Sequence, residues 1–253
     1  MFPPNPIINE LIRKCIAQAQ ALHPITICHN ELQTTHMHML ARILDPQDAA
    51  DFMERFKTES AHAINRLLGR KKRTVWCEGY DSPLIDDVET IKDKIAYIYE
   101  NPSKDGLVDS IDYHPGVSTW HHFKNLTPRR SSKRAYETRY IPRDAFTQLP
   151  NKHLSEPDYE RLRRKLIHKR KKNSYEVDCN AWMERFGITD PEEQHEINKN
   201  IIADVRDREE EHRLERERKG KYVLGRKAVV ETRVGAQYKP DRKGRKMLVH
   251  SLD

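Results

Sequence analysis

The sequence predicts an α+β fold in which helices with one apolar face cover a sheet. Apolar residues recur at helical spacing in three separate segments of the N-terminal half, which indicates three amphipathic helices. Between the first two lies a segment with partial alternation of apolar and polar residues, which is typical of strands. The 253 residues, 36% of them hydrophobic, suffice for one packed domain and a second, smaller or looser region.

The first helix is predicted from Asn5 and Pro6, because Asn is a common N-cap and Pro a common first helical residue. It is expected to end at His23-Pro24, since the residue before a proline avoids helical geometry. Its apolar face should cover a sheet. The residues of this face are Ile7, Ile8, Leu11, Ile12, Cys15, Ile16, Ala19 and Leu22.

The segment from Ile25 to Leu44 carries His36 and His38 in a strand-like pattern. Side chains at i and i+2 of a strand share a face, so the two imidazoles can bind one divalent cation, with Met37 and Met39 on the buried face. The spacing alone is weak evidence, because 13 histidines in this chain predict about 0.7 such pairs by chance. Two ordinary strand histidines on a solvated face remain an alternative.

Asp45-Pro46 is predicted to begin a second helix over residues 47–68, closed by Gly69. A basic corner follows, and Val75 to Cys77 is predicted to form a short strand. The corner consists of Lys71, Lys72 and Arg73, and we expect these residues to contact DNA.

A third helix is predicted to start at Asp86 or Asp87 and to end at Asn101-Pro102. Tyr97 lies about 100° around the axis from the apolar stripe at Ile98, and Asn101, at i+4, shares its face. Tyr99 lies closer to the apolar stripe. Tyr97 is therefore the tyrosine predicted to reach a ligand, the alternative being a surface tyrosine that packs beside the strand.

The second half of the chain is expected to differ from the first. Residues 128–154 are predicted to form a basic linker, and 155–253 a helical, charged, partly disordered region that includes a helix from Ser155 to Lys172. A long helix should start at Asp190-Pro191 and end near Arg218, its second half exposed to solvent. The basic residues of the Ser155 helix are expected to follow DNA phosphates. They are Arg161, Arg163, Arg164, Lys165, Lys169, Arg170, Lys171 and Lys172.

Charge is distributed unevenly along the chain. Residues 1–127 carry a net charge of −3, and residues 128–253 carry +10. This asymmetry favours a polyanionic partner, with nucleic acid the first candidate and an anionic membrane surface the second. The four cysteines form no Cys-x-x-Cys pair, which argues against a zinc ribbon and favours reduced thiols. Without a signal peptide or membrane-spanning stretch, the protein is expected to be soluble and cytoplasmic.

Three sequence features together resemble the single-tyrosine HUH transposases, and most closely the REP-associated tyrosine transposases. These are the His-Met-His motif at 36–38, the Trp76-containing corner, and the Tyr-Ile-Tyr-Glu-Asn-Pro-Ser-Lys-Asp-Gly-Leu-Val run over residues 97–108. Residues 112–115 and 118–120 also resemble the family. The similarity covers residues from about 5 to 120, so we identify residues 1–127 as a catalytic domain of this kind.

The resemblance implies a central antiparallel sheet flanked by helices and a DNA strand-transfer activity. His36, His38 and Asn101 would bind Mg²⁺ or Mn²⁺, and Tyr97 would form a 5′-phosphotyrosine link with single-stranded, hairpin or palindromic DNA. A phenol has an ordinary pKa of about 10, so the nearby cation would have to favour the phenolate or stabilise the transition state. No nucleotide cofactor is implied, because the covalent bond conserves the energy of the cleaved one.

The chain also departs from the family pattern. A first strand normally precedes the helix that here begins near Ile7, and Met1 to Pro3 leave no room for it. A missing strand would leave an unpaired sheet edge beside the strand that carries His36 and His38. The C-terminal half exceeds the minimal family domain, and the resemblance says little about its role.

Three other functions remain open from the sequence. The first is a nucleic-acid-binding protein that has lost catalysis, and the second is a rolling-circle replication initiator or relaxase, which uses the same chemistry. The third is a metal-dependent hydrolase that releases its product. Tyr80 is the alternative nucleophile, although it has no Asn partner at i+4. His62, His114, His121 and His122 are not assigned as ligands.

Overall fold

A computed structural model describes residues 3–67, 71, 73–139, 172–231, 237–240 and 246–249. The helices in this part of the chain are α1 (Pro6–Leu22), α2 (Pro46–Leu67), α3 (Val88–Lys104), α4 (Trp120–Phe123), α5 (Pro191–Arg218) and α6 (Arg226–Glu231). The strands are β1 (Thr26–Leu32), β2 (Met37–Arg42), β3 (Lys133–Arg139), β4 (Lys172–Asp178), β5 (Gln237–Pro240) and β6 (Lys246–Val249).

Four strands form one sheet in the order β2-β1-β4-β3, and β5 and β6 form a separate hairpin. β1 pairs antiparallel with β2, and β3 pairs antiparallel with β4. β1 and β4 run parallel. The α+β class is confirmed, whereas the expectation of a fully antiparallel sheet is wrong for the β1–β4 pair. β2 lies at one edge of this sheet, and its outer side pairs with no strand in the described residues.

The two faces of the sheet are covered by different helices. On one face, α1 and α2 form a core with Ile27 of β1 and with Met37 and Met39 of β2. On the other face, α3 and α5 form a second core with Cys28 of β1 and Leu40 of β2. The alternation along β2 therefore turns one set of side chains toward α1 and α2 and the other set toward α3.

The caps predicted for α1 and α3 explain where these helices begin. The side chain of Asn5 accepts a hydrogen bond from the backbone N–H of Ile8, and that of Asp87 accepts one from Thr90. Each bond satisfies an N–H that has no partner within the helix. In the described residues, no helix is both long enough and apolar enough to span a bilayer.

The short strand predicted at Val75 to Cys77 is wrong. This segment is held by side chains of α2 instead: the indole N–H of Trp76 donates to Ser60 Oγ at 2.8 Å, and Lys57 Nζ donates to the carbonyl of Cys77 at 2.7 Å. The apolar residues that indicated a strand pack against the α1–α2 core without pairing to the sheet.

The predicted end of the third helix at Asn101-Pro102 is also wrong, because α3 continues to Lys104. A proline near the end of a helix removes one hydrogen bond. The next N–H groups still close the last turn, since Asp105 donates to Asn101 and Leu107 donates to Pro102. Gly106, with φ of +63°, then reverses the chain in the left-handed conformation that favours glycine.

Two predictions for the C-terminal half need correction. The predicted linker over 128–154 contains β3, and β4 occupies part of the region predicted as helical, so Lys172 lies in a strand rather than in a helix. Both strands belong to the same sheet as β1 and β2. The rest of the predicted helix from Ser155 lies outside the described residues.

The long helix predicted from Asp190-Pro191 to Arg218 is confirmed as α5. Its second half is not free of contacts, although it was predicted to face solvent. Glu209 is buried and accepts a hydrogen bond from the backbone N–H of Ile111, and Arg216 donates to the carbonyl of Ser103. Charged residues here pair with α3 and the loop after it, because the helix lies along polar groups rather than along apolar side chains.

Candidate active site

The two histidines of the motif lie together at the start of β2. His36 immediately precedes the strand and His38 lies within it, and their ring centroids are 4.7 Å apart with nearly perpendicular planes. His38 faces α3, while Met37 and Met39 pack into the opposite core. The shared face predicted from the i, i+2 spacing is therefore found in the structure.

Tyr97 of α3 lies opposite His38. Their ring centroids are 5.5 Å apart, and Tyr97 is half-buried. Tyr99, by contrast, is fully buried and donates to or accepts from His29 and Thr119. The helix thus directs Tyr97 toward the histidines and Tyr99 into the core, as its periodicity predicts.

Asn101 lies one helical turn after Tyr97. It is buried, and its side-chain amide donates to the backbone carbonyl of Tyr97 at 2.6 Å. This bond uses the amide nitrogen and not the amide oxygen, which is the atom that binds a divalent metal. The hydrogen bond fixes the side chain on the face of α3 that carries Tyr97.

The environment of His38 favours its neutral form. Burial lowers the pKa of His38 to about 4, and the positive charges of His36 and Lys104 act in the same direction. Its Nε2 atom is buried and has no hydrogen-bond partner in the described residues. Nδ1 of His36 lies 2.9 Å from the Thr35 hydroxyl. A neutral imidazole with an unpartnered ring nitrogen is the form of histidine that binds metals.

The donor set fits a divalent ion only if the amide of Asn101 takes part. Within the described ranges, no three His, Cys, Asp or Glu side chains are arranged to bind a metal. His36 and His38 would supply two imidazoles to such an ion, and Asn101 would supply an oxygen. Mixed nitrogen and oxygen ligands suit Mn²⁺ and tolerate Mg²⁺.

Two lysines flank Tyr97, and the sequence analysis did not single them out. Lys104 Nζ lies 4.6 Å from the centroid of the Tyr97 ring, and Lys94 Nζ lies 5.7 Å from it. Lysines at i−3 and i+7 share the face of the tyrosine on a helix. Helical spacing is therefore the sequence signal that could have identified these two lysines.

Glu31 is a second feature that sequence reasoning missed. It is fully buried, pairs with His38 in the β1–β2 register, and its Oε1 lies 2.9 Å from His114 Nε2. Burial raises the pKa of Glu31, while the charge and hydrogen bond of His114 oppose this. Gly116 packs so closely here that a Cβ would lie 2.3 Å from His114 Nε2. No local pattern marks this pair, because its partners are 83 residues apart.

The four histidines that the sequence analysis left unassigned make structural contacts or lie at the surface. His114 also approaches the carbonyl of Leu32, and His122 contacts that of Ser132. His62 and His121 are exposed. None of the four lies in ring contact with His36 or His38.

The predicted alternative nucleophile, Tyr80, is exposed, and most of the predicted DNA contacts are either exposed or outside the described residues. Tyr80 is 48% exposed in an irregular segment. Lys71 and Arg73 are exposed after α2. Lys72 and the basic residues at 161–171 lie outside the described residues and remain predictions.

Residues 5–101 match the family model described as "Transposase IS200 like". No curated protein and no solved structure matches the chain. The matched segment contains His36, His38, Tyr97 and Asn101, and it ends before α5. Residues 5–101, less than half of the chain, are therefore similar to the IS200-like transposases.

Proposed function

We propose that this protein cleaves and rejoins single-stranded or hairpin DNA, with Tyr97 as the nucleophile. One observation carries the proposal: the Tyr97 ring faces His38 at 5.5 Å, beside Asn101. These residues lie within the segment that matches the transposase family. The motif from Tyr97 to Val108 favours the REP-associated subgroup.

A divalent ion, Mg²⁺ or Mn²⁺, is the cofactor that we propose. His36, His38 and Asn101 would bind it, and the unpartnered Nε2 of His38 supports this assignment. When bound, the ion supplies Lewis-acid polarisation of the scissile phosphate. Burial keeps His38 neutral, so the lone pair of its ring nitrogen stays available to bind the ion.

The proposed step is a transesterification at phosphorus. The oxygen of Tyr97 forms a bond with phosphorus while the bond from phosphorus to the DNA O3′ breaks. The phenolic proton passes to solvent, and the leaving O3′ takes a proton from water. The products are a 5′-phosphotyrosine link and a free 3′-OH. Attack by an incoming 3′-OH reverses the step and joins two strands.

In this proposal the protein groups have separate tasks. The backbone of α3 positions Tyr97 and Asn101 on one face, and the edge strand β2 presents His36 and His38 to that face. Holding the nucleophile and the phosphate-binding groups on rigid elements reduces the entropic cost of the reaction. In the described residues no strand pairs with the outer edge of β2, and we propose that a DNA strand approaches along this edge.

The experiment that tests this proposal is adduct formation. Wild-type protein is incubated with labelled single-stranded hairpin DNA and Mn²⁺, and a denaturant-resistant protein–DNA band is sought. We expect the band with wild type and with Tyr80→Phe, and none with Tyr97→Phe. Tyr80→Phe is the matched control, because it removes the same hydroxyl from the alternative tyrosine.

Two results would contradict the proposal in different ways. An adduct with Tyr97→Phe would show that another residue is the nucleophile. No adduct with wild type, together with retained hairpin binding, would favour a nucleic-acid-binding protein that has lost catalysis. Cleavage that releases both products without an adduct would indicate a hydrolase.

A further inference from the structure

Lys104 is the cationic group nearest to Tyr97 in the described part of the chain. Its Nζ lies over the phenol ring, 4.6 Å from the centroid. It lies in the last turn of α3, and its side chain is 45% exposed. A lysine ammonium placed in this way can reach both the phenol and a phosphate bound beside it.

Lys94 lies on the other side of Tyr97 and differs in its partners. Its Nζ is 5.7 Å from the ring and 3.4 Å from the carboxylate of Asp93. The same carboxylate also receives a hydrogen bond from Arg208 at 2.7 Å. Lys94 is thus more distant from Tyr97 and directed to an acidic neighbour, which makes it a matched control for Lys104.

In the described part of the chain, Lys104 forms an ion pair with Glu100, which α5 holds in place. Glu100 Oε1 lies 3.9 Å from Lys104 Nζ. The Glu100 side chain is 8% exposed, and it approaches His212 at 3.1 Å and Arg208 at 3.8 Å. Because both partners come from α5, this helix holds the carboxylate that lies near Lys104.

We propose that Lys104 is a catalytic residue of the Tyr97 reaction. Glu100, which α5 holds in place, would be the residue that positions Lys104. This inference rests on the proposed function. The ammonium would donate a hydrogen bond to a non-bridging oxygen of the scissile phosphate and stabilise the charge that develops there. α5 lies entirely outside the family match, so the proposal gives the C-terminal half a role in the reaction.

Charge stabilisation is the effect that this reaction most requires. Negative charge moves from the phenol oxygen to the phosphoryl oxygens and then to O3′ during the step. Fixed cationic donors that meet this charge lower the barrier, and removal of one such donor in enzymes typically costs about 10²–10³ in rate. Because Lys104 and Tyr97 lie on the same helix, the separation of their Cα atoms is fixed.

The test separates chemistry from DNA binding. We would measure the single-turnover rate of adduct formation and the Kd for hairpin DNA for wild type, Lys104→Ala, Lys104→Arg and Lys94→Ala. Lys104→Ala is expected to slow adduct formation about 100-fold with less than about a 3-fold change in Kd. Lys104→Arg should recover most of the rate, because the positive charge remains. Lys94→Ala should change the rate far less.

A double-mutant cycle tests the role of Glu100. Glu100→Gln removes the charge and keeps the shape, and it should slow adduct formation about 5- to 10-fold because Lys104 loses its partner. If Glu100 acts through Lys104, the double variant Lys104→Ala/Glu100→Gln will be no slower than Lys104→Ala alone. A merely structural role would make the two effects multiply.

The outcomes distinguish this inference from the proposed function. If wild type forms no adduct, the proposed function fails and this inference fails with it. If wild type forms the adduct and Lys104→Ala forms it at the same rate, only the role of Lys104 is wrong. A loss of DNA affinity equal to the loss of rate would overturn the catalytic assignment and leave Lys104 as a DNA-binding residue.

Discussion

Tyr97 and Tyr99 lie two residues apart on the same helix and have opposite environments. Tyr99 is fully buried, and its hydroxyl lies 2.8 Å from His29 Nδ1 and 2.8 Å from the Thr119 hydroxyl. Tyr97 is half-buried beside His38, with a lysine over its ring. Each tyrosine faces a histidine of the β1–β2 hairpin.

The difference shows that one helix directs one tyrosine into the core and the other toward the histidine pair. Burial raises the pKa of Tyr99, and its hydrogen bonds are satisfied within the core, so its hydroxyl is unsuited to attack a phosphate. Around Tyr97, in contrast, His38 keeps a buried ring nitrogen without a partner. Satisfied polar networks stabilise a core, whereas unpartnered groups in a half-open site favour a ligand.

The largest expected effect is the loss of the groups opposite Tyr97. His36→Ala and His38→Ala should each slow Mn²⁺-dependent adduct formation about 10³-fold, because each removes one of three proposed metal ligands. The midpoint of thermal unfolding should stay within a few degrees of wild type, since both side chains lie outside the buried cluster of Tyr99, His29 and Thr119. Single-turnover assays across a Mn²⁺ series measure the effect.

His62→Ala is the matched control for these variants, because His62 is exposed on α2. It should cleave as wild type does. Unchanged Mn²⁺-dependent cleavage by His36→Ala and His38→Ala would refute the metal site while leaving the role of Tyr97 open.

Acidification should destabilise the core around Tyr99 and His29. Burial lowers the pKa of His29 to about 3, from an unfolded value near 6.5, and the charge of His122 acts in the same direction. The unfolded chain therefore binds a proton more readily between these values. The contribution of His29 to the free energy of unfolding is therefore fully present above pH 6.5. It is lost as the pH falls toward 3, by about 3 kcal/mol at pH 4.

Urea unfolding at a series of pH values measures this loss. His29→Gln has no group that titrates at this position, so its free energy of unfolding should fall less steeply between pH 6.5 and 4. Equal slopes for wild type and variant would show that His29 does not carry the effect. His38, whose pKa is lowered to about 4, contributes in the same direction in both proteins.

Removing one hydroxyl from each tyrosine sharpens the comparison further. Tyr99→Phe removes the hydroxyl that bonds His29 Nδ1 and the Thr119 hydroxyl in the core, which should lower the free energy of unfolding by about 1–3 kcal/mol. Tyr97→Phe should change it by less than about 0.5 kcal/mol, as is usual for substitutions outside the core. Urea denaturation at neutral pH measures both values.

The same two variants should have the opposite order of effects on adduct formation. Tyr99→Phe should retain the adduct when it is assayed below its unfolding transition, while Tyr97→Phe forms none. If Tyr99→Phe lost the adduct and kept its stability, the assignment of separate roles to the two tyrosines would be wrong.

The local features of this arrangement could be predicted from the sequence. Helical periodicity separated Tyr97 from Tyr99, and strand periodicity placed His36 and His38 on one face, because each pattern depends on residues a few positions apart. The caps at Asn5 and Asp87 were likewise local signals. Family resemblance added the chemical roles, which no spacing supplies.

Long-range contacts could not be predicted in this way. β4 pairs with β1 across about 150 residues, and His29 contacts the carbonyl of Cys179. The charged second half of α5 was expected to face solvent. Alternating charges give the same sequence pattern whether they contact water or the side chains of α3. Only the fold brings Arg208 beside Glu100.

The smallest expected effect concerns the helix that both tyrosines share. Asp87→Ala removes the side-chain cap of α3 and should lower the free energy of unfolding by about 1 kcal/mol. The rate of adduct formation should stay within about 2-fold of wild type, because Tyr97 lies more than two helical turns from the cap. Asp87→Asn keeps a capping oxygen and is the control. A large loss of rate with Asp87→Ala would show that the start of α3 positions the nucleophile, and would make the two sides of the helix less independent than their contacts indicate.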